Sequence, residues 1–154
     1  MKTSIKLAHD IMQIYSAKCK PLCREIGMPQ TAFDILMFLS NNPECNTARD
    51  IVEVRNIKAN LVSVNVEKLV KEGYLNRAQS PGDRRKTLLH CTDKAQMIVE
   101  KGRQLQADFV EELFQNVDEQ LRNRFFQVMK ILESNLKDMQ EGRKELIWSG
   151  YGSS

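Results

Sequence analysis

The fold is decided in the middle of the chain, where residues 47–91 read TARDIVEVRNIKANLVSVNVEKLVKEGYLNRAQSPGDRRKTLLHC. Thr47, followed three residues later by Asp50, is a capping-box pattern and predicts a short helix that begins at this point. The apolar spacing then predicts a second helix over residues 58–72, which Gly73 ends. The stretch therefore opens with two helices joined by a short turn.

A short β-hairpin is predicted directly after the second helix. Residues 74–78 and 87–91 have the composition of short strands, and the Ser-Pro-Gly-Asp sequence at 80–83 is a strong turn signal. Three cationic residues in a row, at 84–86, are expected to lie at the tip of this turn. The order helix, turn, helix, strand, turn, strand predicts a winged helix-turn-helix.

Long helices are predicted on both sides of this unit. The apolar periodicity predicts an amphipathic helix over 4–20, which Pro21 interrupts, and a further helix that begins near Pro29. Two more helices are predicted over 93–116 and 118–141. The first of these two is longer than a chain of this size needs for its own core.

The terminal helices carry apolar stripes that one chain cannot bury by itself. The helix over 118–141 has an apolar residue at every third or fourth position, and the helices over 4–20 and 93–116 repeat the pattern. A monomer could bury one such stripe, but burying all of them requires a partner. We therefore expect a homodimer in which a second copy of the chain packs against these helices.

The expected fold is mainly α with a small β-hairpin wing, a winged helix-turn-helix plus N- and C-terminal dimerisation helices. The 154 residues are predicted to form a single domain, 1–154. Within it, 29–91 is expected to form the winged-helix lobe, and 4–27 together with 93–141 the helical dimerisation lobe. Residues 142–154 are expected to be a loosely held tail because they contain three glycines and three serines.

Positive charge is concentrated in the same middle stretch. The whole chain has a formal net charge of +3, whereas residues 46–90 contain nine Lys and Arg against five Asp and Glu. The flanks of this stretch are nearly neutral or acidic. Such an asymmetry is typical of a segment that binds nucleic acid.

The outward face of the second helix carries groups that can read DNA bases. A helical wheel places Val62, Val66, Leu69 and Val70 on the buried side. On the other side, Asn can form two hydrogen bonds to an adenine edge, Leu and Val can contact thymine methyl groups, and Lys can reach guanine or phosphate. The candidate DNA-contacting residues here are Lys58, Asn60, Leu61, Ser63, Val64, Asn65 and Lys68. The alternative is the solvated face of an ordinary helix.

The hairpin supplies a second group of candidates. A basic hairpin tip can enter a minor groove, where an arginine meets concentrated negative potential. The candidates are Arg77 on the first strand and Arg84, Arg85 and Lys86 at the tip. Asp83 is expected to orient a neighbouring guanidinium through a charge-assisted hydrogen bond. Taken alone, the tip is better explained as a solubilising charged turn, but its place after a helix-turn-helix favours DNA.

The sequence resembles the MarR family of bacterial winged-helix transcriptional regulators over residues 5–141. The most specific parts of the resemblance are Glu-Gly-Tyr-Leu-Asn-Arg at 72–77 and Asp-Arg-Arg at 83–85. The resemblance implies that the second helix reads the major groove of DNA and that Asp83 holds Arg85 for insertion into the minor groove. It also implies that the terminal helices form the dimer interface.

The function that the resemblance implies is regulation of transcription, in which the protein is expected to act as a repressor or an activator. A dimer would present two such helices about 34 Å apart, so the operator is expected to be an imperfect palindrome. The expected partners are double-stranded DNA, a second copy of the chain and a small-molecule effector that changes DNA affinity. Met12, Tyr15, Phe33 and Met37 are candidates to line the effector pocket, and they would serve equally well as plain core.

Two alternatives stay open beside this interpretation. One is a thiol-based redox-sensing regulator. The chain has four cysteines that could take this role, namely Cys19, Cys23, Cys45 and Cys91. Buried inert thiols are the ordinary expectation for such residues. The other is a winged helix that binds protein rather than DNA, which the apolar residues on the outward face of the second helix favour.

Other classes of function have little support in the sequence. There is no Gly-rich phosphate loop, no nucleophile elbow and no pair of carboxylates in an apolar setting, so no enzyme activity and no cofactor are expected. No metal site is expected, because no close pair of ligands recurs along the chain. There is neither a membrane-spanning apolar stretch nor a signal-peptide core, so a cytoplasmic protein that does not bind membranes is expected.

Overall fold

The computed structural model describes residues 2–150, and these form six α-helices, one short 3-10 helix and one two-stranded antiparallel hairpin. The 3-10 helix, Asp93–Ala95, leads into the fifth α-helix. The predicted class, mainly α with a hairpin wing, is confirmed. In chain order the elements are α1 (Lys2–Glu25), α2 (Gln30–Asn41), α3 (Ala48–Arg55), α4 (Ala59–Lys71), β1 (Leu75–Ser80), β2 (Asp83–Cys91), α5 (Gln96–Leu113) and α6 (Glu119–Gly150).

The chain divides into two compact units, one extending to Val110 and the other beginning at Glu111. The first unit contains α1 to α4, the hairpin and most of α5, and the second contains α6. The division by function, with 29–91 as the winged-helix lobe and 4–27 with 93–141 as the dimerisation lobe, stays a prediction. None of the described helices is both long enough and apolar enough to cross a membrane.

Two predicted helix ends are wrong. The first helix does not stop at Pro21 but continues to Glu25, and the buried Cys19 and Cys23 pack into the core on either side of the proline. Their burial offsets the backbone hydrogen bond that proline removes. The last helix was expected to end near residue 141, yet α6 continues to Gly150. One glycine costs a helix only about 1 kcal/mol, and good helix formers follow it; the rest of the predicted tail lies outside the described residues.

The core of the first unit is built around α2. Seven of its twelve residues are buried, so this helix is apolar around most of its circumference. The other elements each present one apolar side to it. The buried side chains that they contribute are Cys19 and Cys23 of α1, Ile51 of α3, Val62, Val66 and Leu69 of α4, Leu75 and Leu89 of the hairpin, and Ile98 and Val99 of α5.

The approach of α5 to α2 depends on a glycine. Gly102 is buried in α5, and a β-carbon added there would lie 2.9 Å from Met37 Cε and 3.1 Å from Phe33 Cζ. Both contacts are closer than ordinary van der Waals distances, so only glycine fits without displacing its neighbours. At this point the backbone of α5 therefore packs directly against side chains of α2.

In the second unit, aromatic rings and an ion pair hold the start of α6. The ring of Phe114 lies 5.3 Å from the rings of both Phe125 and Phe126. Arg122 donates two hydrogen bonds to the Glu111 carboxylate, at 2.6 and 2.9 Å. These contacts join α6 to the residues directly before it in the chain.

The capping box predicted at the start of α3 is confirmed. The backbone N–H of Asp50 donates to Thr47 Oγ1 at 3.1 Å, and the Asp50 carboxylate accepts from the Thr47 N–H at 2.9 Å. The Thr47 hydroxyl also donates to that carboxylate at 2.6 Å. At the other end, Asn56 adopts the left-handed conformation (φ 51°) and turns the chain into α4.

Replacing Thr47 by Ala is expected to destabilise the protein by about 1 kcal/mol, because the first N–H groups of α3 lose their side-chain acceptor. The measurement is the free energy of unfolding in urea. Thr47→Ser is the matched control, since serine keeps the hydroxyl and is expected to retain the wild-type stability within a few tenths of a kcal/mol. Equal losses in the two variants would show that the capping hydrogen bonds contribute nothing.

Candidate nucleic-acid interface

Helix α4 has one buried and one exposed side, as the sequence predicts. Val62, Val66 and Leu69 are buried, whereas Leu61 and Val64 are 45% and 66% exposed. Large apolar side chains on a solvated helix face are available for contact with a partner. Of the other candidates, Lys58, Asn60, Ser63 and Lys68 are exposed and Asn65 is half-buried.

The two asparagines of this face differ in their availability. The side-chain amide of Asn65 donates a hydrogen bond of 2.8 Å to the Leu61 carbonyl, one turn earlier in α4. Bidentate contact with adenine requires both the amide N–H and the amide oxygen. The internal bond occupies one of the two amide hydrogens of Asn65 and restricts how its side chain can turn toward a base. The exposed Asn60 is therefore the better candidate for a base contact.

An ion pair links α4 to the first strand of the hairpin. The guanidinium of Arg77 donates to the Glu67 carboxylate at 2.7 Å, and the two side chains are 42% and 68% exposed. Arg77 is one of the predicted DNA contacts, but its charge is matched here within the protein. The same bond neutralises the charge of Glu67, an acidic residue on a side of α4 that otherwise carries amide, hydroxyl, apolar and lysine side chains.

Lys68 is held much less firmly than Arg77. Its ammonium lies 3.8 Å from the Glu72 carboxylate, a distance too long for a hydrogen bond. Both side chains are about half exposed to solvent. Exposed pairs of this kind contribute about 1 kcal/mol at most, so the Lys68 charge remains available to an anion.

The three cations of the hairpin lie on a strand and not at the tip, which corrects the prediction. The apex is formed by Pro81 and Gly82, and Gly82 has the positive φ of 83° that the turn requires. Beyond the apex, β2 begins at Asp83 and contains the cations at 84–86. The turn signal identified the apex correctly, and the strand simply begins four residues earlier than expected.

The register of the two strands places the three cations in an irregular part of the hairpin. Ser80 pairs with Asp83 and Gln79 pairs with Thr87, so one step along β1 corresponds to four steps along β2. Residues 84–86 occupy this irregularity, between two paired positions. A bulge of this kind bends a strand and redirects its side chains. Arg84, Arg85 and Lys86 are all exposed there.

The role of Asp83 differs from the expected one. Its carboxylate accepts a hydrogen bond of 2.9 Å from the backbone N–H of Arg85, rather than from an arginine guanidinium. An Asp side chain bonded to the N–H two residues later is the standard way in which this residue stabilises a turn. Asp83 therefore fixes the backbone at the start of the bulge and leaves the Arg85 guanidinium unrestrained by it.

The base of the hairpin is tied to the C-terminus of α4. The Thr92 hydroxyl donates to the Gly73 carbonyl at 2.6 Å, and the Lys94 ammonium donates to the Glu72 carbonyl at 2.7 Å. Lys94 also lies 4.6 Å from the centre of the Tyr74 ring. A cation at the end of a helix is favoured by the helix dipole. These contacts fix the place where the hairpin leaves α4.

The candidate effector residues do not form one pocket. Phe33 is fully buried in the core and Met12 is exposed on α1. Tyr15 and Met37 do line a common cavity, of about 100 Å³, together with Asp34 and Arg55. The apolar pattern alone could not separate a pocket wall from a core residue, and the effector-binding role of these residues stays a prediction.

The cavity behind Tyr15 contains partly buried polar groups. Burial raises the pKa of Tyr15 to about 12, although a hydrogen bond from Gln106 opposes the shift. Burial also raises the pKa of Asp34, whose carboxylate lies 3.8 Å from the Arg55 guanidinium. Within the described part of the chain, the buried Nε of Arg55 has no hydrogen-bond partner. This guanidinium is therefore incompletely satisfied by the protein.

The four cysteines are free thiols in environments that disfavour the thiolate. Cys19 and Cys23 are buried in α1, and burial raises the pKa of both, that of Cys23 to about 11. Burial likewise raises the pKa of the half-buried Cys45 and Cys91. Among the residues that the structure describes, no three His, Cys, Asp or Glu side chains are placed to hold a metal ion.

Comparison with known proteins agrees with this architecture. Residues 26–86 match the model described as the MarR family. An uncharacterized HTH-type transcriptional regulator of Bacillus subtilis (strain 168), YdgJ, is 24% identical over 114 residues, which are 74% of this chain and 69% of the relative. The resemblance to the MarR family is thereby confirmed for the segment that contains α2 to α4 and most of the hairpin.

Solved structures extend the likeness to most of the chain. A MarR transcriptional regulator from Methanosarcina mazei Go1 superposes with a TM-score of 0.71 at 18% identity, covering 90% of this chain and 92% of that one. Wild-type MarR from E. coli, in its apo form, gives a TM-score of 0.63 at 20% identity, covering 82% and 94%. At these identities the likeness shows the fold, which is that of MarR-family regulators.

The raised thiol pKa values predict slow alkylation in the folded protein. Only the thiolate is nucleophilic, so a raised pKa lowers the reactive fraction at neutral pH. We expect iodoacetamide at pH 7 to modify all four cysteines more slowly than free cysteine, with rates that keep rising with pH beyond the ordinary thiol range. The measurement is mass spectrometry of quenched samples, and protein in denaturant is the control. A cysteine that reacts at pH 7 as fast as free cysteine would contradict the prediction.

Proposed function

We propose that this protein is a transcriptional regulator that binds duplex DNA as a dimer, with α4 in the major groove and the β2 cations at the minor groove. The observation that carries the proposal is that α4 and the hairpin share one surface. Ser63 of α4 and Thr87 of β2, the residue after the cations, line the same groove of about 470 Å³. One edge of α4, at Ala59 and Ser63, and the residue that follows the β2 cations therefore border the same groove.

The chemistry of this surface suits the grooves of DNA. Asn60, Leu61, Ser63 and Val64 offer hydrogen-bonding and methyl-contacting groups on an exposed helix face. An α-helix fits into a major groove about 12 Å wide, and a helix placed there leaves a following hairpin near the adjacent backbone and minor groove. The chain resembles the MarR family and a relative that is described as an HTH-type transcriptional regulator, and this resemblance supports the same function.

Dimerisation is supported by the apolar surface that a single chain leaves uncovered. Along α6, apolar side chains at every third or fourth position are each about half exposed. They are Leu121, Phe125, Val128, Leu132 and Leu136. A second copy that covers them would give two α4 helices, and the operator would be an imperfect palindrome. The same proposal includes that the protein represses transcription and that it resides in the cytoplasm.

We also propose that a small molecule controls DNA affinity. The support is the cavity of about 100 Å³ behind Tyr15, where the Arg55 Nε–H has no partner within the described residues. The redox alternative is less well supported, because burial raises the pKa of every thiol. The protein-binding alternative rests on the exposed Leu61 and Val64, which suit thymine methyl groups equally well.

The experiment that tests the proposal is fluorescence anisotropy with two labelled duplexes of equal length. One is taken from the region upstream of the gene that encodes this protein, and the other has a mixed sequence. We expect binding to both at low salt and a preference for the first as salt is raised, because phosphate contacts weaken with salt more than base contacts do. No binding to either duplex at low salt would favour the protein-binding alternative.

Arg85→Ala is expected to weaken binding to the preferred duplex by roughly tenfold, which corresponds to about 1.4 kcal/mol. The reason is the loss of a guanidinium from the exposed bulge of β2. Sedimentation should show an unchanged oligomeric state. Arg124→Ala is the matched control, because it removes an exposed arginine from α6. Equal affinities for the Arg85 variant and the wild type would show that the hairpin does not take part in the DNA interface.

Glu67→Gln is expected to tighten binding to the mixed-sequence duplex. The change removes a carboxylate from the DNA-facing side and releases the Arg77 guanidinium from its 2.7 Å ion pair. If Arg77 then contacts one phosphate, the slope of log affinity against log salt becomes steeper by about 0.9. Arg77→Gln is expected to weaken binding, and the double variant to lie between the two.

Glu111→Gln is the control for this prediction, since it breaks a comparable Arg–Glu pair in the second unit. It is expected to leave the salt dependence of binding unchanged. Weaker binding by Glu67→Gln than by the wild type would contradict the prediction. It would show that the ion pair aligns α4 for DNA and that the negative charge of Glu67 does not oppose binding.

A further inference from the structure

A basic depression lies beside α4, on the side where the first helix ends. Lys20 and Arg24 of α1 and Lys68 of α4 line it, and its volume is about 460 Å³. We call these three residues the α1 basic patch. Pro29 and Gln30, where α2 begins, complete one edge. Of these three residues, the sequence predicts only Lys68 as a DNA contact, because Lys20 and Arg24 are about 45 residues away and lie in an ordinary amphipathic helix.

The charge of the α1 basic patch is only partly balanced by nearby carboxylates. None of the side chains that line the depression is acidic. Glu25, the adjacent carboxylate in sequence, is bound by Lys101, and the Glu72 carboxylate lies 3.8 Å from Lys68. Three cations that converge on one concave surface repel each other unless an anion lies between them. The depression is therefore suited to a polyanion.

A second feature of the same depression also favours an anion. Helix α2 begins at Gln30, and its N-cap residue, Pro29, provides no side-chain hydrogen bond to the first N–H groups. The uncapped start of a helix carries a partial positive charge and donors that can bind phosphate. The side chain of Gln30 is occupied elsewhere, since it donates to Ser16. Cationic side chains and backbone donors thus meet at one place.

We infer that the α1 basic patch binds the phosphate backbone of the duplex that α4 reads, just outside the base pairs in contact with α4. This inference rests on the proposed DNA-binding function and adds a surface to it. Lys68 lies on the exposed side of α4 and also lines the patch, so the two surfaces are continuous. Phosphate strands border the major groove on both sides. The α1 basic patch would then hold a phosphate strand beside the major groove, in addition to the contact of the β2 cations at the minor groove.

Contacts of this kind position a protein on DNA without reading its sequence. The inference therefore predicts a loss of affinity that is the same for any duplex. Lys20 and Arg24 are both exposed, so replacing them should leave the fold intact. Sequence preference, which the outward face of α4 would set, should not change.

The test is the double variant Lys20→Gln/Arg24→Gln, measured by anisotropy on the mixed-sequence duplex over a series of salt concentrations. We expect roughly tenfold weaker binding, and a slope of log affinity against log salt that is shallower by about 1.8 per protomer, or 0.9 for each lost phosphate contact. The ratio of affinities for the upstream and mixed duplexes should equal that of the wild type. Thermal unfolding checks that the variant is folded.

The control is Arg124→Gln/Lys130→Gln, which removes the same charge from exposed positions of α6 in the second unit. It separates local phosphate contacts from the general effect of net charge. A patch variant whose slope equals that of this control would overturn the inference and leave the proposed function standing. A wild-type protein that binds neither duplex would overturn both.

Discussion

The packing of the apolar side of α4 against the core is the constraint on which the rest of the first unit depends. Val62, Val66 and Leu69 are almost fully buried there, and burial of such side chains contributes about 1.5–3 kcal/mol each. Their spacing fixes the rotation of α4 about its axis, so the polar side has only one direction in which to face. Leu75 and Leu89 enter the same core and hold the hairpin beside the helix. The candidate DNA surface is thus a consequence of apolar burial.

The sequence predicts best those features that depend on neighbouring residues. The two sides of α4 follow from helical periodicity, and the capping box at Thr47 follows from the Thr-to-Asp spacing. The hairpin apex follows from Pro81 and Gly82. In each case the decisive contact joins residues no more than four positions apart. The order of elements, and with it the family resemblance, rests on such local signals.

Features that depend on distance in space were missed. The Arg77–Glu67 bond joins residues ten positions apart on different elements, and neither residue type specifies its partner. The start of β2 was misplaced for another reason. Only the base of the hairpin is buried, so residues 83–87 have no apolar alternation to show where the strand begins. The path of α1 through Pro21 was missed because tertiary burial of Cys19 and Cys23 outweighed a local signal.

The distribution of charge separates affinity from specificity on the proposed surface. The centre of the exposed side of α4 carries uncharged groups, at Asn60, Leu61, Ser63 and Val64, and its Glu67 is neutralised by Arg77. Cations lie outside this centre, in the α1 basic patch and in the bulge of β2. These cations attract any phosphate backbone, whereas the uncharged centre can distinguish base pairs. A formal net charge of only +3 is compatible with this arrangement, because binding depends on where the cations lie and not on their sum. The net charge of the chain therefore understates the attraction that its first unit can exert on DNA.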